Sequence, residues 1–310
     1  MTKLGQDILL QQLEAMASEA RHPDTWDLDQ LSSLQIVKKI NQQDQTIAAA
    51  VATCLPQIAE VVDKIVSAFS QGGRLIYIGA GTSGRLGILD AVECPPTFSV
   101  PASQVIGLIA GGDKAIYKAV EGAEDNPDLA KADLEQINFC HNDILIGIAA
   151  SGRTPYVLGG LAYARTVGAT TAAISCNAKA PVLSKADYAI CAVVGPEVVT
   201  GSTRMKAGTA QKMILNMLST AAMIRSGKVY QNLMVDLHAS NEKLQARAVR
   251  IVMQATDCSA AIARDALAAA NNSAKLAILH ILTGDTIEQC QHKLQQNAGS
   301  IRKTLMASKS

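Results

Sequence analysis

The chain has 310 residues, 48% hydrophobic but only 3% aromatic, and its 28 basic and 27 acidic side chains leave a net charge of +1. That length allows one large domain plus a smaller one. The balanced charge offers no basic face for nucleic acid and no polybasic stretch for a membrane surface. A core so poor in rings must rest on Leu, Ile, Val and Ala, as helices packed on a parallel sheet do.

The seven cysteines form no C-x-x-C pair and are odd in number, which reads as free thiols in a reducing compartment. The histidines are scattered without an H-x-x-x-H, so no metal site is expected. The first residues lack the apolar run of a signal peptide, and no stretch is apolar enough to span a bilayer. A soluble cytoplasmic protein with no membrane partner is the expectation.

Residues 1–70 read as helices. Leu28, Leu31 and Leu34 recur at roughly helical spacing, and Asp44 is placed to cap the next segment. Ile47, Val51, Leu55, Ile58, Val62, Ile65 and Phe69 continue an apolar stripe. Pro56 should kink or break that run, and Gly72-Gly73 should end it. Short β-rich runs follow at Leu75–Ile78, Val105–Ile109, Ile144–Ile148, Thr170–Ser175 and Ala189–Val193, most of them separated by a stretch of helical length. This alternation predicts βαβ units and a parallel sheet covered on both faces. Residues 200–235 read as one long Met- and Leu-rich helix, its methionines taken as core packing. From His238 onward the chain reads as helical again, with helices from Leu244, over Ser259 to Ala270, from Ala274 to Leu282, and from Ile287 to Leu294.

Chemistry concentrates at the ends of the predicted strands. Gly79-Ala-Gly81-Thr-Ser-Gly84 has the G-x-G-x-x-G spacing of a dinucleotide-binding turn. A dinucleotide site also wants an acidic residue ending the second strand. Here that strand ends in Gly111-Gly112, with Asp113 only beyond them. The third strand runs into Ser151-Gly152-Arg153-Thr154, with Pro155 near the start of the following helix. A third hydroxyl-rich loop follows at Thr200-Gly-Ser202-Thr203-Arg204. One such loop is explained by helix capping. Two parallel loops at like positions favour a compact phosphomonoester, held by Gly81, Thr82, Ser83, Ser151, Gly152, Arg153 and Thr154. Arg85, Ser202, Lys206 and His238 are further candidates, each with an ordinary alternative as a salt bridge, a cap or a packed side chain.

Gly-Thr-Ser-Gly followed by Ser-Gly-Arg-Thr resembles the sugar isomerase (SIS) domain, a phosphosugar-binding α/β fold. The longer strings from Gly79 to Pro96, Val120 to Asp125, Val199 to Lys212 and Asn232 to Asp236 are similar to the signatures of the N-acetylmuramic acid 6-phosphate etherase family, as is Asn241-Glu-Lys-Leu244. The resemblance covers nearly the whole chain. It implies an open parallel five-stranded SIS sheet flanked by helices. An N-terminal helical segment (1–50) would precede the SIS domain (51–237), and a small C-terminal helical bundle (238–310) would follow. It implies a homodimer acting on a small-molecule phosphosugar without a cofactor. The D-lactyl ether would be cleaved to give N-acetylglucosamine 6-phosphate and D-lactate. Following the family, Glu93 is the acid that protonates lactate and later activates water, and Glu124 is the carbon-2 base; the sequence itself does not separate these roles. An aldose–ketose sugar-phosphate isomerase and a non-enzymatic phosphosugar sensor, like the glucokinase regulatory protein, share the domain and are the alternatives. A dinucleotide-dependent dehydrogenase ranks last.

Overall fold

The computed structural model describes residues 16–236 and 242–308. Its described residues divide into two compact units, one reaching to Ala91 and resuming over Ser103–Leu218, the other made of Val92–Ala102 and the chain from Ser219 onward.

The first unit is built on a five-stranded sheet: β1 Leu75–Gly79, β2 Val105–Ile109, β3 Ile144–Ile148, β4 Thr170–Ser175 and β5 Tyr188–Cys191. All neighbours are parallel, in the order β2-β1-β3-β4-β5. β1 and β3 are buried at every position. Helices on both faces remove both sets of side chains from water, so these strands are near-continuous apolar runs rather than alternating ones. Before the sheet come α1 Ser33–Asp44, α2 Ile47–Ala52 and α3 Leu55–Ser70; Pro56 falls in the first turn of α3, where its missing N–H costs nothing. Between strands lie α4 Gly81–Phe98, α5 Lys114–Tyr117, α6 Pro127–Gln136, α7 Pro155–Val167 and α8 Pro181–Lys185. Ile76, Ile78, Leu145, Tyr156, Val157 and Leu161 are fully buried in the cluster between sheet and helices.

α9 runs from Lys206 to Arg225, shorter than the stretch read from the sequence. Gly227, at φ +78°, turns the chain into a hairpin, β6 Val229–Tyr230 and β7 Leu233–Met234. Asp44 ends α1 instead of capping α2, whose preceding residue is Thr46. The second unit holds α10 Glu242–Thr256, α11 Ala260–Ala269, α12 Ala274–Thr283 and α13 Ile287–Gln296, with a further helix, α14 Ile301–Ala307, that the sequence reading did not anticipate. Side chains of Ser259, Ser273, Thr286 and Ser300 cap four of these helices. Val252, Ala263, Ala277, Ile278 and Leu279 form the centre of its core. All seven cysteines are free thiols. Among the described residues, no single helix is long and apolar enough to cross a membrane.

Candidate active site

A sheet of order 2-1-3-4-5 reverses its winding between β1 and β3, and ligands of open parallel sheets bind outside the carboxyl ends of the strands at that point. Gly79 is paired with Ile148 in the β1–β3 register. The loops that leave these two residues therefore start side by side.

The first loop is very short. Gly81 has φ +53° and already begins α4, with Gly84 N–H donating to the Ala80 carbonyl at 3.3 Å. The helix start lies hard against the strand end. A Cβ on Gly79 would stand 2.7 Å from Gly84 N, and one on Gly84 would stand 2.6 Å from Ile109 Cγ1. These glycines are explained by close helix–strand packing. The N–H groups of the first helical turn have no partners within the helix and favour an anion.

The second loop turns on Gly152, at φ +72°, where a Cβ would collide with Ala180 Cβ. Its carbonyl accepts the Val182 N–H at 3.1 Å, so the start of α8 supports the loop from behind. Thr154 stands at the N-cap of α7, yet its side chain makes no capping hydrogen bond. Ser151 Oγ accepts only a long bond, 3.4 Å, from the Arg153 N–H. Helix capping therefore does not account for these hydroxyls.

Two cavities open at this level of the first unit. One, of about 250 Å³, is lined by Gly81, Arg85, Val120, Glu121, Gly122 and Glu124 among others. Glu124 sits exposed in a 3-10 turn, Ala123–Asp125, entered through Gly122 at φ +75°. Arg85 donates to the carbonyls of Ile116 and Ala115 at 2.9 and 2.7 Å, which pins the segment that closes the cavity. Glu121 shares this cavity, so geometry alone does not single out Glu124; its motif does. The other cavity, of about 320 Å³, is lined by Ser151, Arg153, Asn177, Lys179, Val193 and the Met16-Ala17 segment.

Asn177 and Lys179 escaped the sequence reading. Asn177 is buried; it donates to the Ala150 carbonyl and to Ser18 Oγ, both at 3.0 Å, and accepts the Ser18 N–H at 3.2 Å. Its signal was positional: it follows β4 almost directly, at a carboxyl end.

The remaining predicted residues lie elsewhere. Ser83 is buried and donates to Gln211 Oε1 at 2.9 Å. Ser202 in the third loop and Lys206 at the start of α9 line neither of the two cavities. The amino terminus of α9 is already served by Glu197, fully buried, which accepts the N–H groups of Lys206 at 2.8 Å and Ala207 at 3.0 Å. Lys206 Nζ donates to Gln43 Oε1 at 3.1 Å. Burial pushes the Lys206 ammonium below its ordinary range, against the opposing charges of Glu197 and Asp44. Glu93 is exposed on α4 and belongs to the second unit. His238 lies outside the described residues. No group of three or more His, Cys, Asp or Glu side chains among the described residues is arranged to hold a metal ion.

Fold and loops together define a SIS-domain protein. The N-terminal SIS domain of the glucokinase regulatory protein matches residues 57–165, the SIS domain matches 129–221, and the C-terminal lid domain of the glucokinase regulatory protein matches 231–276. A solved structure from Bacteroides fragilis, a candidate phosphosugar isomerase involved in capsule formation, superposes with TM-score 0.50 at 22% identity, over 66% of this chain and 97% of its own. Much nearer in sequence are N-acetylmuramic acid 6-phosphate etherase 2 of Vibrio cholerae, 60% identical over 96% of this chain and 97% of its own length, and the N-acetylmuramic acid 6-phosphate etherase of Pseudoalteromonas atlantica, 61% identical over 95% and 96%. The chain belongs to the N-acetylmuramic acid 6-phosphate etherase family.

Proposed function

We infer that this protein cleaves the D-lactyl ether of N-acetylmuramic acid 6-phosphate, giving N-acetylglucosamine 6-phosphate and D-lactate. The observation that carries this is identity near 60% with etherases over almost the full length of both chains. Glu124 in a cavity beside a phosphate-type helix start supports it.

The chemistry follows from the substrate. In the open-chain sugar, the carbon-2 proton lies beside the aldehyde and is acidified by it. Glu124 as carboxylate takes that proton. Glu93 as carboxylic acid gives its proton to the lactyl oxygen, and the carbon-3 to oxygen bond breaks, leaving an unsaturated aldehyde. Glu93, now a carboxylate, takes a proton from water while the water oxygen adds to carbon 3, and Glu124 returns a proton to carbon 2. Each placed proton transfer contributes on the order of 10²–10⁴-fold. Two carboxyls in different environments are what this cycle needs. Thr82, Ser83, Ser151 and Thr154, with the backbone at Gly81 and Gly152, hold the phosphate, and Arg153 supplies charge. Incubation with N-acetylmuramic acid 6-phosphate followed by an enzymatic assay for D-lactate tests the reading directly; an isomerized sugar phosphate with no lactate would replace it with the isomerase alternative.

We further propose that the enzyme is a cytoplasmic homodimer. On α4, Leu89 and Val92 are 45% and 63% exposed, an apolar face of the kind that a second copy covers. In domain terms, residues 1–50 form an N-terminal segment, 51–237 the SIS domain and 238–310 the C-terminal bundle.

A further inference from the structure

Gln211 is fully buried on α9, with its side-chain oxygen accepting the Ser83 hydroxyl at 2.9 Å. Its Nε2 is sealed from solvent and, among the described residues, is the one buried side-chain nitrogen or oxygen without a hydrogen-bond partner. Native proteins pair such groups in the great majority of cases, because an unmet buried donor forfeits its hydration. Other polar groups on the same two helices are engaged with each other: Lys212 Nζ stands 3.2 Å from Asp90 Oδ1, and Asp90 Oδ2 accepts the hydroxyl of Tyr77, on β1, at 3.1 Å.

Ser83 and Gln211 together hold three polar side-chain hydrogens, of which only the hydroxyl's is engaged. Both Nε2 hydrogens are left over, and a group that only accepts, by drawing the hydroxyl away, would leave Ser83 Oγ free to take one of them. The place is right for such a group. Ser83 is in the first turn of α4, and α9 packs against that turn, where a Cβ on Gly208 would be 3.4 Å from Thr82 Cγ2. A helix start favours an anion, and a phosphomonoester dianion offers oxygens alone.

We propose that Gln211 is the positioning residue that presents the Ser83 hydroxyl to the substrate phosphate. On binding, the hydroxyl turns from Gln211 Oε1 to a phosphate oxygen. The carboxamide turns about its last torsion, and Nε2 donates to Ser83 Oγ. Nε2 then has an acceptor in Ser83 Oγ and the hydroxyl has one on the phosphate, at the expense of Gln211 Oε1; an under-satisfied buried oxygen is better tolerated than an unmet N–H. This rests on Ser83 being a phosphate ligand, as set out above.

The test is a double-mutant cycle with Ser83→Ala, Gln211→Glu and the volume-conserving Gln211→Met, read as KM and kcat for N-acetylmuramic acid 6-phosphate and as Kd for N-acetylglucosamine 6-phosphate. Gln211→Glu keeps the acceptor, removes both donors and adds a charge; Gln211→Met serves where the buried charge prevents folding. Either variant should raise KM and Kd by about tenfold with kcat within about threefold, and Ser83→Ala should do the same. Combined with Ser83→Ala, the Gln211 change should add no more than about twofold, because both act through one hydroxyl. Weakened binding in Ser83→Ala with parental binding in the Gln211 variants overturns the role of Gln211 and leaves the Ser83 assignment standing. Parental binding in all variants removes the Ser83 assignment and this proposal together. Additive losses, a loss in the Gln211 variants alone, or a fall in kcat with KM unchanged each overturn it as well. In the parent protein, the Gln211 side-chain amide should gain hydrogen-exchange protection when N-acetylglucosamine 6-phosphate is added, and unchanged protection counts against the turn.

Discussion

Asp143 and Arg74 tie the starts of β3 and β1 together. The Asp143 carboxylate accepts Arg74 Nε at 3.0 Å, Nη2 at 2.7 Å and the Arg74 backbone N–H at 2.9 Å, with the Cys140 N–H a fourth donor at 3.0 Å. Ile144 N–H then pairs with the Arg74 carbonyl at 2.9 Å and begins the ladder. The clamp sets the register at one end of the two strands, and the loops at Gly81 and Gly152 leave from the other end.

Burial acts to raise the Asp143 pKa, but the Arg74 hydrogen bond, the two backbone N–H groups and the guanidinium charge outweigh it and hold the carboxyl below its usual range. A carboxyl whose folded pKa is depressed contributes stability above its unfolded pKa, and that contribution is lost as pH falls through the folded value. Asp143→Asn should therefore cost about 3 kcal/mol at neutral pH. The difference from the parent should shrink below roughly pH 4, where the unfolded chain takes up its proton. Urea unfolding of both proteins at pH 7 and in acid checks this; a difference independent of pH would show that the carboxylate charge is not what matters.

Gly84→Ala should drive the start of α4 off the sheet, because the new methyl would stand 2.6 Å from Ile109 Cγ1 and 2.8 Å from the Gly79 carbonyl oxygen. A loss of about 1–3 kcal/mol is expected from such overpacking, together with a raised KM as the first loop shifts. Thermal melting and steady-state kinetics measure both, and a variant with parental values in each would show that the loop does not depend on this close approach.

β1 and β3 were legible because they are buried on both faces and so appear in the sequence as uninterrupted apolar runs. Gly81, Ser151 and Thr154 were legible for the same reason, since they follow those runs directly. The stretch 200–235 differs for a plain reason: Leu233 and Met234 resume the apolar pattern beyond Gly227, so a helix and a hairpin share one pattern in the sequence. Pairings such as Glu197 with Lys206 and Gln211 with Ser83 leave no periodic trace, because tertiary packing alone makes them; the latter joins residues 128 positions apart.

Ser83→Ala and Ser151→Ala should each weaken substrate binding by roughly 1–3 kcal/mol, the worth of a hydrogen bond to a charged phosphate. Thr154 and Ser151, whose hydroxyls capping does not account for, make the second loop the sharper test. Unchanged KM and kcat in both serine variants would remove the phosphate assignment from these loops.

Sedimentation at micromolar concentration should show a dimer. Leu89→Glu on the exposed face of α4 should shift it toward monomer without loss of helix content, since a charge is set where apolar contact is proposed. A stable, fully active monomer would refute the homodimer.

The proton at carbon 2 separates the two glutamates. If Glu124 removes it, turnover in deuterated water should leave deuterium at carbon 2 of N-acetylglucosamine 6-phosphate. Glu124→Gln should abolish that incorporation, because an amide cannot take the proton. Glu93→Gln should stop lactate release while still permitting exchange at carbon 2 of the substrate, since deprotonation precedes departure of lactate. Loss of activity alone would not distinguish the roles, whereas this asymmetry does. Glu121 shares the cavity with Glu124 and supplies the control: Glu121→Gln should retain both exchange and lactate release. Direct displacement at carbon 3 would leave carbon 2 unlabelled, so protium retained there after turnover in deuterated water would count against elimination. A base shielded from solvent that returns the same proton is the one escape, and it would reveal itself as slow, partial labelling that grows with repeated turnover.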